Sequence, residues 1–107
     1  GEVPVNDIPQ NNADQIKEIN DKISELNKKI RESKDVISNK ESTLRYIQSI
    51  KETWVDKEVN TALQETKQRQ VETMNNMQKT LDDAETNLPL YEKQLEELKA
   101  QLTELQK

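Results

Sequence analysis

The chain has 107 residues, of which 35% are charged and 31% are hydrophobic, and it contains no Phe. This is too little apolar material for a thick globular core, but it is enough for a seam between helices, which uses about two apolar positions in seven. The net charge of −5 argues against nucleic acid and anionic membranes as partners. The absence of His and Cys removes the usual general base, the thiol nucleophile and the commonest zinc ligands, so we expect a non-enzymatic protein without cofactor.

Residues 1–12 differ in composition from the rest of the chain. Pro4 and Pro9 bias the residues before them toward extended conformation, which predicts an extended N-terminal arm; the alternative is a disordered terminus. The apolar residues of this arm, which we take as candidate contacts to a partner, are Val3, Val5 and Ile8.

A first helix is predicted over residues 13–50. Asn12 is a good N-cap, and Gln15 three residues later completes a capping-box pattern. The apolar seam then weakens at Ser33 and is lost at Lys40 before it returns. Its strongest members, spaced by three and four residues, are Ile16, Ile19, Ile23, Leu26 and Ile30.

The heptad phase breaks near residue 52, where the chain is expected to reverse into a second helix over residues 55–86. Aromatic and apolar residues gather at this point. One interpretation is a hydrophobic plug that closes the end of the bundle, and the other is a partner-binding tip, because Trp and Tyr are enriched at interface hot spots. The candidate binding residues are Tyr46, Trp54, Val55 and Val59.

The most regular stretch runs from Met74 to Leu105, where apolar residues follow one another in steps of three and four, the a/d pattern of a helix buried along a narrow seam. Pro89 interrupts it, because proline removes a helical hydrogen bond. Proline is favoured in the first turn of a helix, so the prediction is a third helix over residues 88–106. The alternative is a two-helix hairpin with a kink at Pro89.

The predicted fold is therefore all-α: an elongated antiparallel bundle of three helices, with residues 13–107 forming one domain. A reversal near residue 52 would place the weak stretches 33–40 and 64–71 opposite each other. It would also place residues 16–30 opposite residues 74–88. The flanking e and g positions of the last repeat are mostly neutral, which favours a monomer, with an antiparallel homodimer as the alternative.

Three carboxylates, Asp14, Glu18 and Asp21, share one face of the first helix. Such a run is more often a solvated face than a cation site, so no metal site is predicted. No apolar run approaches the roughly 18 residues of a membrane span, and membrane insertion is not expected.

The start of the chain, Val3-Pro4-Val5-Asn6-Asp7, leads through a polar spacer into Ala13-Asp14-Gln15-Ile16 and a long polar helix. This arrangement resembles the mature N-terminus of the minor pilins of bacterial type IV secretion systems. The resemblance covers roughly residues 3–30. The family is usually longer, with a Gly-containing loop and a globular insertion between its helices, and nothing between Ile50 and Val59 is large enough to be that insertion.

The resemblance implies an exported structural and adhesion component at the periplasm or on a cell-surface pilus. Its partners would be pilus subunits and the host-cell surface, and its precursor would carry a cleavable signal peptide. Two alternatives remain: an intracellular, cytoplasmic coiled-coil scaffold or tether cut from a longer heptad-rich protein, and the helical hairpin of an envelope adaptor protein.

Overall fold

The computed structural model describes the backbone from Glu2 to Lys107 and the side chains from Asn12 onward. No strand occurs in this part of the chain, so the predicted all-α class and the number of three helices are confirmed. The α-helices are α1 (Glu2–Ser38), α2 (Lys40–Ile50) and α3 (Gln64–Leu105). A π-helical turn (Lys51–Val55) and a 3₁₀ turn (Thr61–Leu63) lie between α2 and α3.

The chain divides into two compact units. Unit 1 combines the N-terminal part of α1, up to Glu32, with Leu88–Lys107, and unit 2 is the continuous segment Ser33–Asn87. Helix α3 contributes to both units. Among the described residues, no helix has the length and hydropathy needed to cross a membrane.

Helix α1 begins at Glu2, so the extended conformation predicted for residues 1–12 is wrong from residue 2 onward. The first four N–H groups of a helix have no acceptor within it, and Pro4 therefore costs no backbone hydrogen bond. Pro9 removes one, at a cost that the long helix after it tolerates. Proline disfavours the helical conformation in the residue before it, but it does not forbid that conformation.

At the end of helix α1, polar side chains share the Asp35 carbonyl with the backbone N–H of Asn39. The Asp35 carbonyl accepts hydrogen bonds from Ser38 Oγ at 2.8 Å and from Asn39 Nδ2 at 3.0 Å. Side-chain bonds of this kind offer the backbone an alternative to the helix. Asn39 adopts φ −97° and ψ 13°, outside the helical region. The predicted helix over residues 13–50 is therefore two helices, with the break next to Lys40, where the seam was lost.

Helix α3 continues through Pro89, so a third helix beginning at residue 88 is wrong. Pro89 is exposed, as an outward heptad position requires. An interior proline costs about 3 kcal/mol. Each half-buried leucine contributes roughly 1 kcal/mol, and several lie beyond the proline. The half-buried seam residues after Pro89 are Tyr91, Leu95, Leu98, Leu102 and Leu105.

The helices pair with a different register from the one expected. In unit 1, Ile19 lines one cavity with Leu105, and Leu26 lines another with Leu98. The two segments are thus antiparallel, and residues 16–30 do not face residues 74–88 as predicted. The register differs from the predicted one because the reversal occupies the whole stretch from Lys51 to Leu63 instead of a few residues near 52. The segment after Pro89 therefore finds its partner in the N-terminal part of α1.

Unit 2 has its own contacts across α1, α2 and α3. Val36 and Thr43 line a cavity with Thr73 and Thr80, so residues 36–43 face residues 73–80. The Lys40 ammonium also lies 2.8 Å from the Glu85 carboxylate. Both side chains are partly solvated, so this ion pair adds no more than about 1 kcal/mol.

Each unit has a small apolar core, as the composition predicts. All members are residues of the predicted seams or of the reversal, and they are less than 9% exposed. In unit 1 they are Ile19, Leu26 and Ile30, and in unit 2 they are Ile50, Leu81 and Ala84.

Candidate protein-binding site at the chain reversal

The candidate site lies in unit 2, where α2 ends and the chain turns toward α3. Tyr46 is on the last turns of α2, and Trp54 and Val55 belong to the π-helical turn. The wider turn is closed by the Asp56 N–H, which donates to the Lys51 carbonyl at 2.9 Å. This is a bond across five residues, a π-type bulge of the kind that occurs often at functional sites.

Three apolar side chains between Tyr46 and Leu63 are strongly exposed. Tyr46 is 51% exposed, Val55 is 40% exposed and Leu63 is 42% exposed, while Trp54 and Val59 are half-buried. We call the set of Tyr46, Trp54, Val55, Val59 and Leu63 the reversal surface. The prediction named all of these except Leu63.

Some apolar residues of this region are buried, as a hydrophobic plug requires, and others are exposed, as a binding tip requires. Ile50, the last residue of α2, is 4% exposed, as the hydrophobic plug requires. Tyr46 and Val55 present apolar surface to solvent instead, which a plug does not require. Trp54 lies between the two classes, because its side chain is half-buried.

Local hydrogen bonds fix the loop that carries Val59 and Leu63. Gln64 Nε2 donates to the Val59 carbonyl at 3.1 Å, and the Leu63 N–H donates to the Asn60 carbonyl at 3.0 Å. Asn60 is extended, with ψ 166°, which separates Leu63 from the π-helical turn. Sequence reasoning missed Leu63 because no Gly or Pro lies between Lys51 and Leu63 to mark the loop, and the residue was assigned to a helical seam.

The three apolar candidates in the first residues are not part of the described site. The backbone of Val3, Val5 and Ile8 belongs to α1, but their side chains lie outside the described residues. Their role as partner contacts remains a prediction.

The charged groups of the described residues form surface pairs. Lys17 bonds Asp21 at 3.2 Å and Lys22 lies 3.4 Å from Glu18, so two carboxylates of the predicted solvated face are paired with lysines. No group of three or more potential metal ligands occurs from Asn12 onward. A hydrogen bond to the Asp83 carboxylate, together with its negative charge, raises the pKa of Lys79. Lys79 is exposed, so this is a surface ion pair.

Comparisons with protein-family models, with curated proteins and with solved structures gave no match. The family resemblance of the N-terminal residues is therefore untested by relatives.

Proposed function

We propose that this chain is a non-enzymatic, exported component of a type IV secretion pilus that works through protein–protein contacts at the reversal surface. The observation that carries the proposal is that four of the five exposed large apolar side chains of the described residues fall in the segment from residue 44 to residue 63: Leu44, Tyr46, Val55 and Leu63. Single exposed apolar residues are common, but apolar residues concentrated at one place are typical of an interaction site.

The side chains of the reversal surface suit a partner protein. Burying a half-exposed Val or Leu contributes roughly 1 kcal/mol, and Tyr and Trp add hydrogen-bonding groups to a large apolar area. The phenol hydroxyl of Tyr46 and the indole N–H of Trp54 can form hydrogen bonds, which make such a contact directional as well as apolar. The π-helical turn holds Trp54 and Val55 on a short, regular segment, which lowers the entropy lost on binding.

The setting in a secretion pilus comes from the N-terminal resemblance. In that setting the reversal surface faces a pilus subunit, and the first residues of the chain contact a neighbouring one. An intracellular coiled-coil scaffold is the second candidate. The helical backbone of α1 from Glu2 onward favours it, because a heptad-rich excerpt needs no extended arm.

Fractionation of cells that carry this chain and assemble type IV secretion pili tests the proposal. We expect the chain in the sheared pilus fraction. We also expect the Tyr46→Gln/Val55→Gln variant to be largely lost from that fraction, because glutamine keeps the helix but removes the apolar contacts. The matched control is Leu90→Gln, since Leu90 is 54% exposed and lies in unit 1; it should remain with the pili.

Two results would contradict the proposal. Recovery of the wild-type chain in the cytosol alone would favour the scaffold. Equal recovery of the wild type and both variants with the pili would show that the reversal surface does not hold the chain there. Far-UV circular dichroism of each purified variant confirms that the helices are intact.

A further inference from the structure

Unit 1 contains a groove that is separate from the reversal surface. Two cavities of about 430 and 330 Å³ lie between α1 and the C-terminal part of α3, and Lys22 and Gln101 line both of them. They therefore form one continuous depression along the helix pair, which we call the unit 1 groove. Its α1 wall runs from Gln15 to Lys29, which is about 21 Å of helix.

The floor of the unit 1 groove is apolar. Ile19 and Leu26 are buried beneath it, while Leu98 and Leu105 are half-buried and keep part of their surface at the opening. Two antiparallel helices cover each other along one seam and leave such a depression beside it. An amphipathic helix that enters it adds a third wall and buries the remaining leucine surface.

The rim of the groove is acidic. Its charged residues are Glu18, Glu25, Glu97 and Glu104 against Lys22 and Lys29. Both lysines already have partners in this chain: Lys22 lies 3.4 Å from Glu18, and the Lys29 ammonium lies 5.6 Å from the centre of the Tyr91 ring. Glu104 lies 3.3 Å from the Lys107 ammonium at the exposed end of α3. Among the described side chains, Glu25 and Glu97 make no ion pair, so one unpaired carboxylate is left on each wall.

We propose that the unit 1 groove binds an amphipathic helix of a partner protein, with leucine-type residues on its buried face and basic residues along the edges. Glu97 and Glu104 are seven residues apart and lie on one face of α3, so they match lysines or arginines spaced by one heptad. A second copy of this chain suits the groove less well. A two-fold interface would bring the acidic rim against itself, and like charges that face each other are repelled.

The proposal is tested with designed peptides and the full chain. The probe is a fluorescent peptide of about 18 residues, or roughly 27 Å of helix, with leucine at heptad positions a and d and lysine at e and g. Its counterpart carries glutamate at e and g. By fluorescence anisotropy at low salt, we expect the basic peptide to bind at least ~10-fold more tightly than the acidic one. The methyl resonances of Leu98 and Leu105 should shift on its addition.

A matched pair of variants locates the site. Glu97→Gln/Glu104→Gln should weaken binding of the basic peptide about 3- to 10-fold, because two ion pairs are lost. Glu65→Gln/Glu72→Gln changes the same residue types at the same spacing in α3, but in unit 2, and should leave the affinity unchanged. All four glutamates are exposed, so neither variant is expected to disturb folding.

Three outcomes would overturn the proposal. They are equal binding of the acidic peptide, equal weakening by the two variants, and self-association of the chain that Glu97→Gln/Glu104→Gln strengthens. The last would identify a second copy as the occupant of the groove. None of them bears on the reversal surface, so this proposal and the proposed function fail independently.

Discussion

The Leu81→Ala variant is expected to lose about 2–5 kcal/mol of its free energy of unfolding, the largest effect of any substitution proposed for this chain. Leu81 is 1% exposed and is the most deeply buried large side chain of the described residues. Truncation removes the transfer free energy of its side-chain atoms and leaves a cavity that a thin helical unit fills incompletely. Urea unfolding followed by far-UV circular dichroism measures the loss.

Leu90→Ala provides the control for this prediction. Leu90 lies in the same helix and undergoes the same change of side chain, but more than half of its surface is exposed. Its replacement should alter the free energy of unfolding by no more than about 0.5 kcal/mol. Similar losses for both variants would mean that the burial of Leu81 does not control the stability of unit 2.

The Pro89→Ala variant is expected to be more stable than the wild type by about 1–3 kcal/mol. Helix α3 continues through residue 89, so alanine restores the backbone N–H that can donate to the Glu85 carbonyl. Alanine also removes the crowding of the proline ring against the preceding turn. Part of the gain is offset because the unfolded chain becomes more flexible without proline.

The same substitution distinguishes the continuous helix from a third helix that begins at Pro89. In the first turn of a helix, proline replaces an N–H that has no acceptor, and its fixed φ is favourable. Pro89→Ala would then leave the stability unchanged or reduce it. Thermal and urea unfolding of the two proteins measure the difference, and a loss of stability would contradict the continuous helix.

The sequence was sufficient to predict the seam. The 3–4 spacing from Met74 to Leu105 predicted ten buried positions, and each of the ten is buried or half-buried. Periodicity reports which face of a helix is covered, because only a continuous apolar stripe remains in contact with a neighbouring helix. For the same reason it also predicted the buried apolar residues of α1, Ile19, Leu26 and Ile30.

The seam pattern could not predict which residues face each other. Heptad stripes pair at many registers that differ by whole turns, and the choice depends on the length of the reversal. The stretch from Lys51 to Leu63 contains no Gly or Pro, so nothing in it marked a π-helical turn followed by a loop. The error in the register then left the segment after Pro89 without a partner and made a third helix look necessary.

The predicted binding residues overlap with the reversal surface. Trp54, Val55 and Val59 were predicted as binding residues because they do not continue the heptad pattern. A helix–helix seam covers the residues that follow the pattern, so apolar residues outside it are available to a partner. Leu63 was missed because it was assigned to the seam of a second helix. Tyr46 was predicted as a binding residue because it is aromatic and lies close to the reversal in the sequence. An exposed aromatic residue gains most from a partner.

Photo-crosslinking in pilus-assembling cells tests most directly the claim that the reversal surface binds a protein. A benzophenone amino acid is introduced at position 46, at position 55 or, as a control, at position 90. The account predicts that positions 46 and 55 crosslink to a pilus subunit and that position 90 does not. Absence of that crosslink at both reversal positions, or an equal crosslink at position 90, would contradict it.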